Sequence, residues 1–388
     1  MQHISRVVWV LSLVSMFTDM ASEMLYPIMP IYLKHIGFSV LLIGILEGFA
    51  EATAGLSKGY FGKQSDVWGR RVPFVQVGYA LSTLSKPLLA IFTFPIWVFG
   101  CRAIDRLGKG IRTGARDALL AQECTPETKG KVFGFHRSVD TFGAVLGPAL
   151  ALLYLHFYPQ NYQTLFLLAT LPGLLAVLVS LRLREKSAQE SIKLKKSVSF
   201  WTSFSYWPQS PILYRKLAIG LLVFAVFNSS DVFLLLKAKE TGLNDTEVIG
   251  LYIFYNLIYA LLAYPMGILA DKLGLKKIFI MGLVIFAVVY FGMALNTNYY
   301  LFFGLWFLYG LYGAATEGLS KAWLSSLVPK TETATAIGTY AGFQSLCTLL
   351  ASSLAGVLWY WGGAELTFIT TGVMSVLIVL YLSTLPKP

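Results

Sequence analysis

Long apolar runs follow one another through almost all of the 388-residue chain, and no other feature limits the fold as strongly. A run of about 20 apolar residues is long enough to cross the hydrocarbon core of a bilayer as a helix. The runs predict twelve transmembrane helices, numbered spans one to twelve, near residues 6–33, 40–64, 72–94, 96–123, 130–157, 162–184, 213–238, 245–269, 276–296, 299–327, 334–361 and 364–385. With 56% hydrophobic and only 13% charged residues, soluble domains could not bury this much apolar surface.

The only long connection between spans, near residues 185–212, is rich in lysine and arginine and divides the chain in two. We therefore expect an N-terminal six-helix bundle at 1–184, a basic cytoplasmic linker at 185–212 and a C-terminal six-helix bundle at 213–388. Other basic clusters fall in loops that follow even-numbered spans, as this linker does, which predicts that both termini are cytoplasmic. Topology thus explains the net charge of +11, and no nucleic-acid partner is expected.

One loop pattern occurs twice. Each copy is a Gly-x-x-x-Asp-x-x-Gly segment that ends an even-numbered span on the predicted cytoplasmic side and is followed by basic residues. The first copy has Gly62, Asp66, Gly69, Arg70 and Arg71, and the second has Gly267, Asp271 and Gly274 with Lys276 and Lys277. Such a repeat indicates a transporter built from two similar halves around a site near the membrane midplane.

At these two loops the chain resembles the major facilitator superfamily, whose best-known signature lies between spans two and three. The resemblance covers essentially the full chain and implies an all-α membrane fold of two six-helix bundles with pseudo-two-fold symmetry. Residues 62–71 and 267–277 would then be gate loops, in which glycines let helix ends approach and Asp66 with the arginines forms charge-assisted bonds. Alternatively, Arg70 and Arg71 only mark the cytoplasmic face.

Span five contains Gly143, Gly147 and Pro148 in a Gly-x-x-x-Gly-Pro sequence. This resembles part of a motif of the exporting, antiporter branches of the superfamily, although the small glycines that follow in that motif are not found at 149–151. Small residues and a proline predict a packing seam where helix backbones slide or bend. The resemblance implies export, and a seam without influence on direction is the alternative.

Ionisable residues at membrane depth cost about 2.5 to 3.5 kcal/mol each on insertion scales, so they are candidates for function. Spans one and two each carry two carboxylates four residues apart, and hence on one helix face: Asp19 with Glu23, and Glu47 with Glu51. Carboxylates crowded at low dielectric take up protons readily. We predict that these four residues and Asp140 include the proton-coupling site.

Span four resembles the superfamily's motif in which an arginine precedes a glycine-rich stretch, a motif linked to proton coupling, and either Arg102 or Arg106 fits it. The remaining candidates for coupling or substrate binding are Asp105, His136, Arg137, Asp231, Tyr255, Asn256, Glu317 and Lys321. The aromatic ring of Tyr255 and the amide of Asn256 suit an organic substrate. Alternatively, charges in the cytoplasmic half of span four, such as Arg116 and Asp117, form salt bridges that only orient helices.

These features predict a secondary active transporter that moves a small organic solute by alternating access, as a proton-coupled exporter (antiporter). Two alternatives stay open: export of a divalent metal or metal chelate through Asp19, Glu23, His136 and Asp140, and symport of an organic anion. No enzyme and no cofactor are expected, because the chain has neither a His-Glu-x-x-His motif nor a P-loop. We expect the protein to be a monomer in a bacterial inner membrane. Its expected partners are protons, a small solute and the lipid bilayer.

Overall fold

The computed structural model describes residues 4–26, 28–38, 40–185, 206–228, 231–243, 245–296 and 298–386. Within these ranges all regular structure is helical. A single 3-10 turn, Pro126–Thr128, precedes α6. The α-helices are α1 (Arg6–Glu23), α2 (Met29–His35), α3 (Val40–Trp68), α4 (Val72–Leu89), α5 (Pro95–Gln122), α6 (Lys129–Phe157), α7 (Tyr162–Ser180), α8 (Tyr206–Gln209), α9 (Ile212–Phe227), α10 (Val232–Glu240), α11 (Asp245–Leu273), α12 (Leu275–Leu295), α13 (Tyr299–Ser326) and α14 (Thr333–Thr384).

The predicted all-α fold is confirmed, and the helices coincide with the predicted spans. Spans one and seven are each divided into two helices, α1 with α2 and α9 with α10. The long α14 covers spans eleven and twelve, with non-helical backbone at Gly362 and Gly363 between them. Gly363 has a φ of 67°, a left-handed conformation that glycine adopts without a steric penalty.

Length and composition alone identify fewer spans than the fold contains. In the described residues, five stretches are long and apolar enough to cross a membrane by themselves: Pro126–Phe157, Tyr162–Ser180, Glu247–Leu273, Leu275–Leu295 and Thr333–Thr384. The helix α5 fails this criterion because it carries several arginines, yet every residue from 110 to 121 is buried. Neighbouring helices therefore shield these charges from lipid, as ionisable groups in a membrane require.

The chain forms two compact units. Unit 1 comprises Met1–Glu123, Val139–Gln209 and Val328–Ser345, and unit 2 comprises Cys124–Ser138, Ser210–Leu327 and Leu346–Pro388. Each unit thus includes a short segment from the other half of the sequence, so α6 and α14 each contribute residues to both units. The division predicted at 185–212 stays a prediction, and residues 186–205 of that linker lie outside the described ranges.

The two units have cores of different character. The core of unit 1 includes an aliphatic cluster between α2 and α7, in which the rings of Tyr32 and Phe166 pack edge to face at 4.8 Å. The core of unit 2 is more aromatic, with Trp306, Phe286 and Tyr290 fully buried and the last two rings 4.2 Å apart. Rings of this size bury large apolar areas and hold their neighbours in fixed orientations.

Candidate functional site

A buried ion pair joins α4 to α5 within unit 1. Lys86 Nζ lies 2.6 Å from Asp105 Oδ1, and the lysine side chain is 3% exposed. The same ammonium donates to Ser22 Oγ on α1 at 3.3 Å, and Ser85 Oγ donates to Asp105 at 3.4 Å. Lys86 is not among the site residues predicted from the sequence. The available signal was a lone lysine within span three, beside Pro87.

A second polar chain connects α5 to α1 and α6. Arg116 forms an ion pair with the adjacent Asp117 at 2.9 Å, as expected from the sequence, and also donates to Ser15 Oγ at 3.0 Å. Ser15 in turn donates to Asp140 Oδ1 at 2.5 Å, and Asp140 is 2% exposed. The predicted coupling residue Asp140 is therefore linked to Arg116 through one hydroxyl group, a partner that the sequence does not reveal.

The other arginines of α5 are also buried, whereas Lys109 is exposed. Arg112 donates to Ser82 Oγ at 2.6 Å and lies over the ring of Tyr79, with Cζ 4.6 Å from the ring centroid. Arg102 and Arg106 are buried, and their charges act on Asp105. Five basic residues of α4 and α5 are thus buried: Lys86, Arg102, Arg106, Arg112 and Arg116.

The predicted carboxylates of spans one and two are described only in part. Asp19 and Glu23 are half-buried on α1, and the charge of Asp19 acts on Arg112. The side chains of Glu47 and Glu51 lie outside the described part of the chain, although their backbone belongs to α3. Among the described residues, no group of three or more His, Cys, Asp or Glu side chains is arranged to hold a metal ion.

In unit 2, an aspartate lies against a group of tyrosines. Asp231 is the residue before α10, at the break within span seven, and it accepts a 2.6 Å hydrogen bond from Tyr309. The Tyr309 ring lies 4.9 Å from the ring of Tyr255 and 5.5 Å from that of Tyr312. The predicted Asn256 is buried and donates to a carbonyl of its own helix at 3.0 Å. The structure therefore brings the predicted residues Asp231 and Tyr255 together, because both contact Tyr309.

The charged residues of α6 and α13 in unit 2 are more accessible. Arg137 and Glu317 lie 3.9 Å apart, with side chains 31% and 41% exposed. Arg137 also donates to the hydroxyl of Tyr259 and lies over its ring, 5.3 Å from the centroid. Lys321 is half-buried one turn further along α13, and His136 is buried at 4% exposure. His136 and Asp140 fall in different units.

The first gate loop binds the beginning of α14. Asp66 Oδ2 accepts from the backbone N–H and the hydroxyl of Thr335, at 2.7 and 2.8 Å. Asp66 Oδ1 accepts from Arg71 at 2.8 Å, and the same guanidinium donates to the carbonyl of Lys330 at 3.0 Å. Arg71 is buried, whereas Arg70 is exposed. Asp66 thus caps a helix N-terminus, where a carboxylate is favoured by the free N–H groups and the helix dipole.

Two further contacts hold the first gate loop in place. Gly62 lies so close to α14 that a Cβ atom on it would meet the carbonyl of Ala334 at 2.5 Å. Glu185 accepts from the backbone N–H groups of Arg71 and Val72, at 3.0 and 2.9 Å, and so caps α4. The positive φ of 63° at Gly69 forms the turn between α3 and α4.

A tyrosine supports the same region from α8. Tyr206 donates to Glu332 Oε2 at 3.2 Å, just before α14 begins. Burial and the neighbouring Glu332 carboxylate raise the pKa of Tyr206. The hydroxyl therefore stays protonated and remains a donor throughout the neutral range.

The second gate loop binds the beginning of α6 in the same way. Asp271 accepts from the backbone N–H groups of Gly130 and Lys131, both at 2.7 Å. Gly267 lies directly against the carbonyl of Gly130, with no space for a side chain. Gly274 has a φ of 101° and separates α11 from α12. Each gate aspartate therefore caps a helix from the opposite half of the sequence.

The predicted packing seam of span five lies against α1. Gly143 approaches the carbonyl of Met16, and a Cβ atom on Gly147 would lie 2.6 Å from the carbonyl of Met20. Pro148 is inside α6, where it removes one backbone hydrogen bond. Without intervening side chains, the backbones of α1 and α6 approach each other closely at this seam.

Comparisons with known proteins agree with this architecture. The sequence model of the Major Facilitator Superfamily matches residues 11–238 and 218–388. An uncharacterized MFS-type transporter of Methanocaldococcus jannaschii is 32% identical over 385 residues, which cover 97% of this chain and 94% of that protein. A multi-drug resistance efflux pump PmrA homolog of Lactococcus lactis is 23% identical over 348 residues, covering 88% and 84%.

Among solved structures, the crystal structure of the human organic anion transporter MFSD10 superimposes with a TM-score of 0.83 at 16% identity. The match covers 98% of this chain and all of that chain. This likeness shows a shared fold. The chain therefore belongs to the major facilitator superfamily and is an integral membrane transporter.

Proposed function

We propose that this transporter is a proton-coupled exporter of a small organic solute that works by antiport and alternating access. The observation that carries the proposal is the contact between α1 and α6. Asp140 bonds to Ser15 there, on the same helix as the close contacts of Gly143 and Gly147 with α1. A titratable carboxyl group thus lies beside a seam where the two helices can slide.

Protonation would change this contact directly. Ionised Asp140 attracts the Ser15 hydroxyl and, through it, the guanidinium of Arg116. Charge-assisted hydrogen bonds are about twice as strong as neutral ones, so a proton on Asp140 weakens the connection among α1, α5 and α6. Loading and release of this proton would then favour different arrangements of the helices, which is the requirement for coupling.

The gate loops supply the second element of the cycle. Asp66 and Asp271 each bind the first turn of a helix from the other half of the sequence. We propose that both caps are made when the cytoplasmic side is closed and are broken when it opens. The similarity to a multidrug efflux pump supports the export direction.

Proteoliposomes with an internal pH indicator and an imposed pH gradient test the proposal. Ethidium and carboxyfluorescein serve as cationic and anionic test solutes. We expect solute-dependent proton movement opposite to the solute in the wild type. Asp140→Asn should reduce this proton movement to the level of empty liposomes while solute exchange without a gradient continues, because the amide cannot be deprotonated.

Glu365→Gln is the matched control, because Glu365 is an exposed carboxylate on α14 and its neutralisation should leave proton movement at the wild-type level. Proton movement retained in Asp140→Asn would contradict the role of that residue. A transported solute without any accompanying proton movement would contradict proton coupling altogether.

Symport of a proton with an organic anion is the second candidate, favoured by the buried basic side chains of α4 and α5. Buried cations need counter-charges, and Asp105 is a counter-charge shared by Lys86, Arg102 and Arg106. A bound anion would supply negative charge and draw a proton to a neighbouring carboxylate, so both would move in one direction. The fold shared with an organic anion transporter is compatible with this candidate, and proton movement in the same direction as carboxyfluorescein would establish it.

A further inference from the structure

A cavity of about 510 Å³ lies beside the beginning of α1, and none of its lining residues belongs to the candidate transport site. It is bounded by the first turns of α1 and by the segment that follows α7. Its basic lining residues are Arg6, Arg182 and Arg184, and its apolar ones include Val10 and Leu181. The cavity thus combines three guanidinium groups with an apolar wall.

The positive charge of this cavity is not neutralised by the described side chains that line it. The three arginines are exposed, and none forms an ion pair with a described residue. Glu185 also lines the cavity, but its carboxylate accepts from the backbone N–H groups of Arg71 and Val72. The cavity therefore has a surplus of positive charge, which attracts an anion.

The first turn of α1 adds to this field. Ser5 caps only the N–H of Val8, at 3.3 Å, and the turn contains no acidic residue. The remaining N–H groups and the positive end of the helix dipole therefore favour a negative charge nearby. Residues 186–205 carry four lysines and one glutamate, so the sequence that follows adds a net positive charge.

Apolar side chains continue from the cavity along the outer surfaces of the same helices. Trp9 is 47% exposed on α1, and Leu178 and Leu181 are 61% and 62% exposed at the end of α7. In a membrane protein such residues contact acyl chains, and tryptophan is enriched at the level of the headgroups. A ligand with an anionic headgroup and acyl chains matches both parts of this surface, whereas a small soluble anion matches only one.

We propose that this cavity binds the phosphate headgroup of an anionic phospholipid in the cytoplasmic leaflet. Arg6, Arg182 and Arg184 bind the phosphate, and the acyl chains lie against Trp9 and Leu181. Glu185 holds the end of this segment against α4, so the site is formed before the lipid arrives. The inference depends on the predicted orientation of the chain and is independent of the transported solute.

Native mass spectrometry of the purified full chain, titrated with phosphatidylglycerol or phosphatidylcholine, tests the proposal. We expect phosphatidylglycerol to bind in preference, and Arg182→Gln with Arg184→Gln to weaken its binding about 30-fold, the effect of two interfacial charges. The doubly substituted Arg182→Lys and Arg184→Lys variant should retain most of the affinity. Lys272→Gln with Lys277→Gln is the matched control, since both lysines are exposed and on the same predicted side.

Three results would overturn the proposal. Equal loss of binding in the Lys272 and Lys277 control would show attraction to the general surface charge. Unchanged binding in the Arg182 and Arg184 glutamine variant, shown to be folded by its thermal unfolding midpoint, would exclude this cavity. Inorganic phosphate that displaces phosphatidylglycerol at millimolar concentration would show that the site takes a free anion.

Discussion

The two gate loops share one sequence pattern but differ in what surrounds the aspartate. Both aspartates accept hydrogen bonds at the first turn of a helix. Asp66 additionally binds the buried Arg71, which bonds to the carbonyl of Lys330. No arginine in the described part of the chain pairs with Asp271, and Lys276 donates instead to the carbonyls of Ser383 and Leu385 at the end of α14. The same motif therefore forms a buried ion pair in one unit and a plain helix cap in the other.

A repeated sequence motif therefore does not imply that both copies contribute equally to stability. A buried ion pair is expensive to break from one side, because the remaining charge loses its partner in a region without water. A helix cap loses only its hydrogen bonds and its interaction with the helix dipole. We therefore expect the first gate loop to be much more sensitive to neutralisation than the second.

The largest effect is expected for Asp66→Asn. The amide leaves Arg71, which is 5% exposed, without a counter-charge, and breaking a buried pair in this way costs about 3 to 5 kcal/mol. The free energy of unfolding, measured by titration with SDS in mixed micelles, should fall by that amount.

The double variant Asp66→Asn with Arg71→Gln is the control for this interpretation. If the cost of Asp66→Asn comes from the unpaired arginine, the double variant should be less destabilised than the sum of the single variants. Strict additivity would show that the two side chains do not depend on each other, and the contrast between the loops would then disappear.

An intermediate effect is expected for Asp271→Asn, measured by the same titration. The substitution removes a charged cap from α6 but leaves no buried arginine behind, so the expected loss is about 1 to 2 kcal/mol. A loss as large as that of Asp66→Asn would mean that a cation such as Lys131 acts as the missing partner, and the two loops would be energetically equivalent.

The smallest effect is expected for Lys276→Gln. The half-buried ammonium bonds only to backbone carbonyls near the end of α14, and such exposed contacts contribute less than about 1 kcal/mol. Hydrogen exchange followed by mass spectrometry should show faster exchange confined to the last turns of α14. Lys277→Gln, at an exposed position, should leave that exchange unchanged.

The helical architecture could be predicted because it depends on properties that are local in sequence. Apolar run length located the spans, and the glycines at 362 and 363 marked the break within α14. The aspartates of the gate loops were recognisable from their spacing. Their actual partners were not, because Thr335 and Gly130 offer backbone N–H groups, which every residue except proline carries.

The candidate site was predicted less completely for a similar reason. Asp105 and Asp140 stood out as charges at membrane depth, but Lys86 and Ser15 meet them only through tertiary packing. A serine gives no signal of its own in an apolar helix, since many serines there bond to the preceding turn. Which hydroxyl approaches which carboxylate is decided by helix register between distant segments.

The interruptions of spans one and seven affect how the solute contacts of this transporter can be mapped by mutation. Helix α1 ends at Glu23 and α2 begins at Met29, with turn bonds between them such as Ile28 N–H to the carbonyl of Leu25. At the end of α9, Asn228 leaves the helical conformation with a ψ of 89°, and main-chain groups at such helix ends need partners outside the regular helical bonding. Such groups persist only where protein or water satisfies them, and they are equally available to a passing solute. Replacing side chains one at a time would leave these contacts intact, so tolerance to mutation along either stretch would be no sign that the solute avoids it.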